Sequence, residues 1–218
     1  MTAATTTPAI PGRARALAPG RRVLDLTVGT VLAVLATPVI LVLAVGVSVA
    51  LRATPLFGQR RVGAGGRPFT MLKLRTLPRS VSPTAPKHDL VGVDIPRLCA
   101  FLRRTHLDEL PQLWLVPVGP MSLVGPRPEV EEIAHDRYEP GFAEARTAVG
   151  PGCTGLWQIS VDHDALICDA PEYDLFYVSN RSLRLDAWIL RRTARVMAGG
   201  RRIHLSDVPA WASSPPDA

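Results

Sequence analysis

LTVGTVLAVLATPVILVLAVGVSVAL, residues 26–51, runs for 26 positions without a charged side chain. As a straight helix it would extend about 39 Å, enough to cross a hydrocarbon layer of about 30 Å. A cleaved secretory signal does not fit, because the run is too long and no A-x-A site follows it. Pro38 stands near the middle, where it removes the backbone hydrogen bond to Val34 and presses its ring on that carbonyl. Thr37 beside it offers a hydroxyl to the backbone groups so freed. Arg13, Arg15, Arg21 and Arg22 precede the run, and Arg52, Arg60, Arg61 and Arg67 follow it. Basic flanks favour the cytoplasmic side, so the pattern predicts a re-entrant helix over 21–52 that bends at Thr37-Pro38 and leaves by the face it entered. The plainer alternative is a single crossing with a tolerated proline.

The charge of the chain is arranged around this segment. Residues 1–88 hold twelve Lys or Arg and one acid, Asp25, so a chain of net charge +6 carries +11 there and −5 beyond. A basic half of this kind suits nucleic acid or an anionic membrane face, and the apolar run inside it selects the membrane. The 218 residues are enough for one domain with a sizeable core besides the membrane segment. Three cysteines, Cys99, Cys153 and Cys168, with no CxxC spacing, argue against a disulfide framework or a structural zinc site. There is no Walker A string, no GxSxG and no HExxH, which removes several enzyme classes.

Working outward, residues 1–20 read as a disordered leader rich in Thr, Ala, Pro and Gly, and 53–200 as one folded domain on the cytoplasmic side. Within that domain, GQRRV and FTMLKL flank Gly63-Ala64-Gly65-Gly66-Arg67-Pro68, the pattern of a β-hairpin. Residues 78–92, with three prolines, read as a loop. Arg97–Arg104 and 183–198 are amphipathic helical patterns whose apolar stripes belong in the core or in the lipid interface, with arginines snorkelling. The tail, 201–218, reads as disordered. The predicted fold class is α+β, mainly helical, with a small β-hairpin, one re-entrant N-terminal membrane helix and interfacial amphipathic helices.

The densest chemistry lies in Thr105-His106-Leu107-Asp108-Glu109-Leu110-Pro111-Gln112-Leu113-Trp114. Pro111 is tolerated only in a first helical turn, so a helix is expected to start at Asp108 or Glu109 with Asp108 as its N-cap. There the free backbone N–H groups would lower a carboxylate's pKa and attract phosphate. Adjacent carboxylates in such a place can divide work between nucleophile, base and metal ligand, while a structural cap is the commoner use of a lone Asp. In Gly125-Pro126-Arg127-Pro128 two prolines fix the backbone around an arginine, either as a rigid turn or as a site for bidentate phosphate recognition. Lys73, one of only two lysines beside 23 arginines, sits between Leu72 and Leu74 on a predicted strand. His106 and His163 read as packed or solvated.

Taken together these strings resemble the bacterial sugar transferases, monotopic phosphoglycosyltransferases that act on polyprenyl phosphate. The resemblance covers about residues 21–198. Arg21-Arg22-Val23-Leu24-Asp25 resembles the motif that opens the family's membrane helix, and Thr37-Pro38 its Ser-Pro break. Gln59-Arg60-Arg61-Val62-Gly63 and Lys73-Leu74-Arg75-Thr76 are similar to its hairpin motifs. Leu107 to Trp114 and Met121-Ser122-Leu123-Val124-Gly125-Pro126-Arg127-Pro128 resemble its two most diagnostic strings. Gly150-Pro151-Gly152, Thr154 to Gln158, and Asp174 with Tyr177-Val178 follow in family order.

The resemblance implies transfer of a sugar 1-phosphate from a nucleotide diphosphate sugar, a UDP-sugar by expectation, to a polyprenyl phosphate at the bacterial inner membrane, on its cytoplasmic face. It implies Asp108 as the nucleophile of a covalent phosphosugar intermediate and Glu109 as a second catalytic carboxylate. Both would hold Mg²⁺. Lys73, Arg75, Arg127, Gln158 and Asp174 would bind substrate. No nucleic-acid partner is implied, and the oligomeric state is left open. The chain departs from the family pattern at Leu115 and Pro120, at Gly92-Val93-Asp94, at Cys99-Ala100, and at Val161-Asp162-His163, where Gly-Arg is usual. These departures motivate a second expectation, a catalytically weakened membrane scaffold of a polysaccharide assembly complex.

Overall fold

With no charge between Asp25 and Arg52 and only one proline, the apolar run forms a single long helix, α1 (Pro19–Leu51). The computed structural model describes residues 19–81 and 92–213; the leader reading for 1–18 and most of the predicted loop 78–92 lie outside the described residues. Pro38 lies within α1, and the Thr37 hydroxyl donates to the Ala33 carbonyl at 2.8 Å. Arg21, Asp25, Gly29 and Ala33 are buried at four-residue intervals, one stripe of the helix. Leu35, Leu41, Val42, Val45 and Val49 stand out from it, each more than 60% exposed. A stripe of two charged and two small residues therefore faces the protein, and branched apolar residues face outward.

The hairpin forms as the glycines predict. Strands β1 (Leu56–Val62) and β2 (Pro68–Leu74) pair antiparallel with Phe57 opposite Lys73 and Gln59 opposite Met71. Gly65 and Gly66 take φ of 63° and 72° in the turn, a region where other residues are strained. Helix α2 (Arg97–Thr105) buries Cys99 and Leu102. They pack with Leu74 of β2 and with Val47 of α1 as a small second core. After it come a 3-10 helix (Leu107–Trp114) and the single-turn α3 (Leu115–Val118).

Strand β3 (Ser122–Val124) pairs in parallel with β4 (Gly152–Thr154), a second two-stranded sheet that the sequence reading did not contain. Between them lie α4 (Glu131–Arg137) and α5 (Pro140–Thr147). After β4 come α6 (Leu156–Ile159), α7 (Pro171–Asn180) and α8 (Leu183–Met197). Gly125 and Gly152 allow the two strands to approach, since a Cβ on Gly152 would stand 2.0 Å from the Gly125 nitrogen. The main core gathers Val116, Met121, Leu156, Ile159, Tyr177, Leu185, Ile189 and Ile203. Each such aliphatic side chain contributes about 1.5–3 kcal/mol by leaving water.

Of the two places left open for the stripe of α8, Leu185 and Ile189 take the core, fully buried, while Arg184 and Arg192 lie over the rings of Trp211 and Trp188. One expectation changes here. The predicted disordered tail is folded as far as Ser213. Ile203 is fully buried and bridges to Ser160, and Leu205, Val208 and Trp211 pack against the main core. These apolar residues, spaced through a Pro- and Asp-containing stretch, supply the burial that composition alone understates. Residues 214–218 lie outside the described residues.

Candidate active site

The 3-10 helix that carries Asp108 and Glu109 begins one residue earlier than expected. His106, in the left-handed region at φ 58°, ends α2 and precedes Leu107, so Asp108 sits in the first turn and makes no cap hydrogen bond. The expected N-cap is corrected accordingly. The connection between two helices uses one left-handed residue and leaves no place for an extended cap.

The two carboxylates have opposite surroundings. Glu109 is gripped from three sides: Arg127 Nη1 donates to Oε2 at 3.1 Å and Nη2 to Oε1 at 2.7 Å, Lys73 Nζ reaches Oε1 at 2.7 Å, and Gln112 Nε2 donates to Oε2 at 3.3 Å. Burial alone would raise its pKa, yet the two cations hold the group well below the usual carboxylate range. Asp108 accepts no hydrogen bond among the described residues. Burial, joined by the negative charge of Glu109, pushes its pKa up, against the opposing pull of Lys73, Arg103 and His106. The sequence led us to expect a lowered value. Desolvation wins because the missing cap leaves the carboxylate without donors.

Lys73 enters from β2, opposite Phe57, and Arg127 from the turn after β3. Burial drives the lysine pKa down and Glu109 holds it up. Arg127 is backed by a second layer. Arg146 of α5 donates to the Arg127 carbonyl at 2.6 Å and grips Asp174 Oδ2 through Nε at 3.0 Å and Nη2 at 2.9 Å. Asp174 is thus a buried ion-pair partner behind Arg127, where it positions Arg146. Arg61, Glu129 and Tyr138 extend this layer: Arg61 Nη1 donates to the Pro128 carbonyl at 3.0 Å, and Tyr138 donates to Glu129 Oε2 at 2.8 Å.

Two of the predicted substrate residues make no hydrogen bond to this cluster among the described residues. Arg75, just past the end of β2, donates to the Thr54 carbonyl at 3.1 Å and lies over the Phe57 ring. Gln158, on α6, has both carboxamide atoms buried without a hydrogen-bond partner among the described residues. Sequence reasoning missed Arg146, Glu129, Arg61 and Gln112. Only Gln112, three residues after Glu109 on the same helix, carried a signal, since that spacing places both side chains on one face.

The site is fastened to α1 at several points. Asp25 Oδ1 accepts from the Leu123 backbone N–H at 2.9 Å, and Arg22 donates to the Val116 and Pro117 carbonyls at 3.0 and 3.1 Å. Arg21 pairs with Asp186 and Tyr177. At the other end of the catalytic 3-10 helix, Trp114 Nε1 donates to the Thr37 hydroxyl at 3.1 Å, and Leu98 of α2 packs at Gly46. One folded body thus holds both halves of α1.

Among the described residues no group of three or more His, Cys, Asp or Glu side chains could enclose a metal ion. Of the expected Mg²⁺ ligands Asp108 fits, since no hydrogen bond to its carboxylate occurs among the described residues and Mg²⁺ is commonly held by one or two carboxylates with substrate phosphates completing its shell. Glu109 does not fit as it stands, because Lys73, Arg127 and Gln112 occupy both of its oxygens.

Residues 16–200 match the family model described as bacterial sugar transferase. The chain is 37% identical over 161 residues to the UDP-galactose-lipid carrier transferase of Erwinia amylovora, covering 66% of this chain and 33% of that protein. It is 37% identical over 183 residues to the UDP-glucose:undecaprenyl-phosphate glucose-1-phosphate transferase of Caulobacter vibrioides, covering 79% and 67%. With an exopolysaccharide production protein of Rhizobium meliloti it shares 32% identity over 191 residues, 79% of this chain and 83% of that one. Among these relatives the matched part of the first is only a third of its length. The match along nearly the whole described core, with Asp108, Glu109 and Arg127 inside it, makes this chain a member of the bacterial sugar transferase family.

Proposed function

We propose that the protein transfers a sugar 1-phosphate from a UDP-sugar to undecaprenyl phosphate or a similar polyprenyl phosphate, starting a membrane-linked glycan. The observation that carries this reading is the division of labour between Asp108 and Glu109. One carboxylate is unpartnered and desolvated, and the other is fixed between two cations.

In the first half-reaction an Asp108 oxygen attacks the phosphorus that bears the sugar. A carboxylate–phosphorus bond forms, and the bond from that phosphorus to the bridging oxygen breaks. The oxygen leaves with the electron pair as UMP. In the second half-reaction a polyprenyl phosphate oxygen attacks the same phosphorus and Asp108 is released as carboxylate. Desolvation makes the Asp108 anion reactive, while Lys73 and Arg127 neutralise phosphate oxygens. The fork of Arg127, already shaped to two carboxylate oxygens, presents the same geometry to a phosphate. Mg²⁺, held by Asp108 and the donor's own phosphates, would supply further charge neutralisation on the diphosphate. Arg146 and Asp174 keep Arg127 in position from behind.

The acceptor carries a lipid tail, so the site must stand at a membrane surface. The attachment of both halves of α1 to one body supports the re-entrant reading, since a straight crossing would draw that body into the bilayer. Phe101, Trp114, Val118 and Leu183, each at least 40% exposed, support an interfacial placement of the faces beside α1. In this reading the catalytic domain faces the cytoplasm, where nucleotide sugars are found. The test is UMP release by the purified protein from a panel of UDP-sugars with undecaprenyl phosphate and Mg²⁺. Release with at least one sugar, absent in Asp108→Asn, is the expected result. No release with any sugar would overturn the reading.

A further inference from the structure

The C-terminal segment beyond residue 200 lies outside the family match, yet it is built onto the end of α6. Ile203 joins the end of α6 by two backbone hydrogen bonds, donating to the Ile159 carbonyl at 3.1 Å and accepting from Val161 at 3.0 Å. That pairing fixes Arg202, whose Nη1 donates to the Gln158 carbonyl at 2.9 Å. No other hydrogen bond or ion pair to its guanidinium occurs among the described residues.

The stretch that Arg202 holds carries several polar atoms without a hydrogen-bond partner among the described residues. Gln158 Oε1 and Nε2, Trp157 Nε1 and His163 Nδ1 are all buried without partners among the described residues. Orphaned buried polar atoms are rare in folded proteins, and four within one short stretch call for an explanation. The stretch adjoins the catalytic groups. Gln158 Oε1 lies 2.8 Å from where a Cβ of Gly155 would stand, and that Cβ would meet the Gly125 carbonyl at 2.2 Å, two residues before Arg127. Burial and then Arg202 depress the His163 pKa, against the pull of Asp164, whose Oδ2 lies 3.3 Å from His163 Nε2.

The charges of the proposed reaction require a cation here. Lys73 and Arg127 already share the Glu109 carboxylate. A donor diphosphate brings two more negative charges, and breaking the bridging bond adds another to the oxygen that departs with UMP. We propose that Arg202 is a donor-binding residue contributed by the C-terminal segment, forming with Gln158 and His163 a subsite for the nucleoside monophosphate end of the donor. Its unspent N–H groups take the phosphate that leaves with the nucleoside, and the Gln158 carboxamide, one donor and one acceptor, faces the nucleoside. This inference rests on the phosphoglycosyltransferase reading.

The test titrates the full-length protein in nanodiscs with UMP and with uridine by calorimetry, beside UMP release from a UDP-sugar. Arg202→Gln removes the charge while keeping a donor for the Gln158 carbonyl, and Arg202→Ala removes both. Arg201→Ala is the control, because the Arg201 side chain is exposed and pairs only with Asp207 among the described residues. The expected result is a UMP dissociation constant at least tenfold weaker in both Arg202 variants, uridine binding unchanged in Arg202→Gln, and Arg201→Ala like wild type. UMP binding by Arg202→Gln equal to wild type would overturn the assignment, as would equal losses for UMP and uridine. If the wild type turns over and Arg202→Gln binds UMP normally, only the Arg202 subsite fails. If the wild type neither binds UMP nor releases it, the reaction itself is wrong and the subsite falls with it.

Discussion

Arg127 meets Glu109 through both prongs of its guanidinium, Nη1 to Oε2 and Nη2 to Oε1, at 3.1 and 2.7 Å. Lysine cannot reproduce this contact, since its ammonium is a single point of charge. Arg127→Lys should therefore keep the fold, weaken the response to donor concentration and lower kcat/KM by about tenfold to a hundredfold, the value of one or two charge-assisted hydrogen bonds. Steady-state kinetics across UDP-sugar concentrations would check it. An unchanged KM and kcat would remove Arg127 from the donor site.

Glu109→Gln should behave differently from Arg127→Lys, because it leaves Lys73 and Arg127 facing one another without an anion. Breaking a buried pair on one side costs about 3–5 kcal/mol. Burial already depresses the Lys73 pKa, and losing Glu109 lowers it further. A lowered folded-state pKa means the unfolded chain binds more protons, so the variant's stability rises with pH through that range. Urea unfolding at several pH values would show this slope beginning at lower pH than in wild type, whose Lys73 is depressed less.

Asp108→Asn should abolish turnover and the covalent adduct seen by intact-protein mass spectrometry, with no loss of stability. The raised Asp108 pKa means that the fold favours the protonated carboxyl. That preference is fully present below the unfolded value and lost as pH rises through the folded one. At neutral pH the amide therefore removes the cost of holding a desolvated charge, and the variant should melt at or slightly above wild type. A clear drop in melting temperature would show that Asp108 supports the fold.

The same direction sets the acid limb of activity. Asp108 must be ionised to attack, so kcat should fall on acidification at a pH above the ordinary aspartate value of 3.8. Glu109 is held too low to contribute to that limb. A pH–rate profile governed by one group, with the limb at or below 3.8, would count against a desolvated nucleophile.

Gly29→Val probes the seating of α1. A Cβ at Gly29 would stand 2.6 Å from Val116 Cγ1, and α3 directly follows the catalytic 3-10 helix. Overpacking there should cost about 1–3 kcal/mol and reduce activity without touching the site. Thermal unfolding in nanodiscs, with turnover measured beside it, would separate this from simple loss of the protein.

The sequence made some features legible and concealed others for physical reasons. The hairpin was readable because Gly65 and Gly66 take backbone angles that few other residues accept. Lys73, Glu109 and Arg127 were named from motif resemblance, and the structure brings them within hydrogen-bond distance across 36 and 18 residues. Asp108 was misjudged in its cap and in the direction of its pKa, because both depend on how α2 turns into the next helix and on burial. Asp174 matched a motif position, but its partner Arg146 lies 28 residues away and carries no local mark. The tail looked disordered because its apolar residues, Ile203, Leu205, Val208 and Trp211, follow no helical or strand period.

The anchors of α1 also set an order of events during synthesis. Arg21 and Asp25 emerge early, yet the partners that bury them stand 156 and 98 residues later, at Tyr177 and Leu123. At a translation rate of about 5–20 residues per second, Arg21 waits roughly 8 to 30 s for its partner. Through that interval two charges at the mouth of an apolar helix stay open to water, and on the membrane reading proposed above they would resist being drawn through a bilayer that the segment behind them seeks. The chain reaches its final attachment only when the end of the domain has been made.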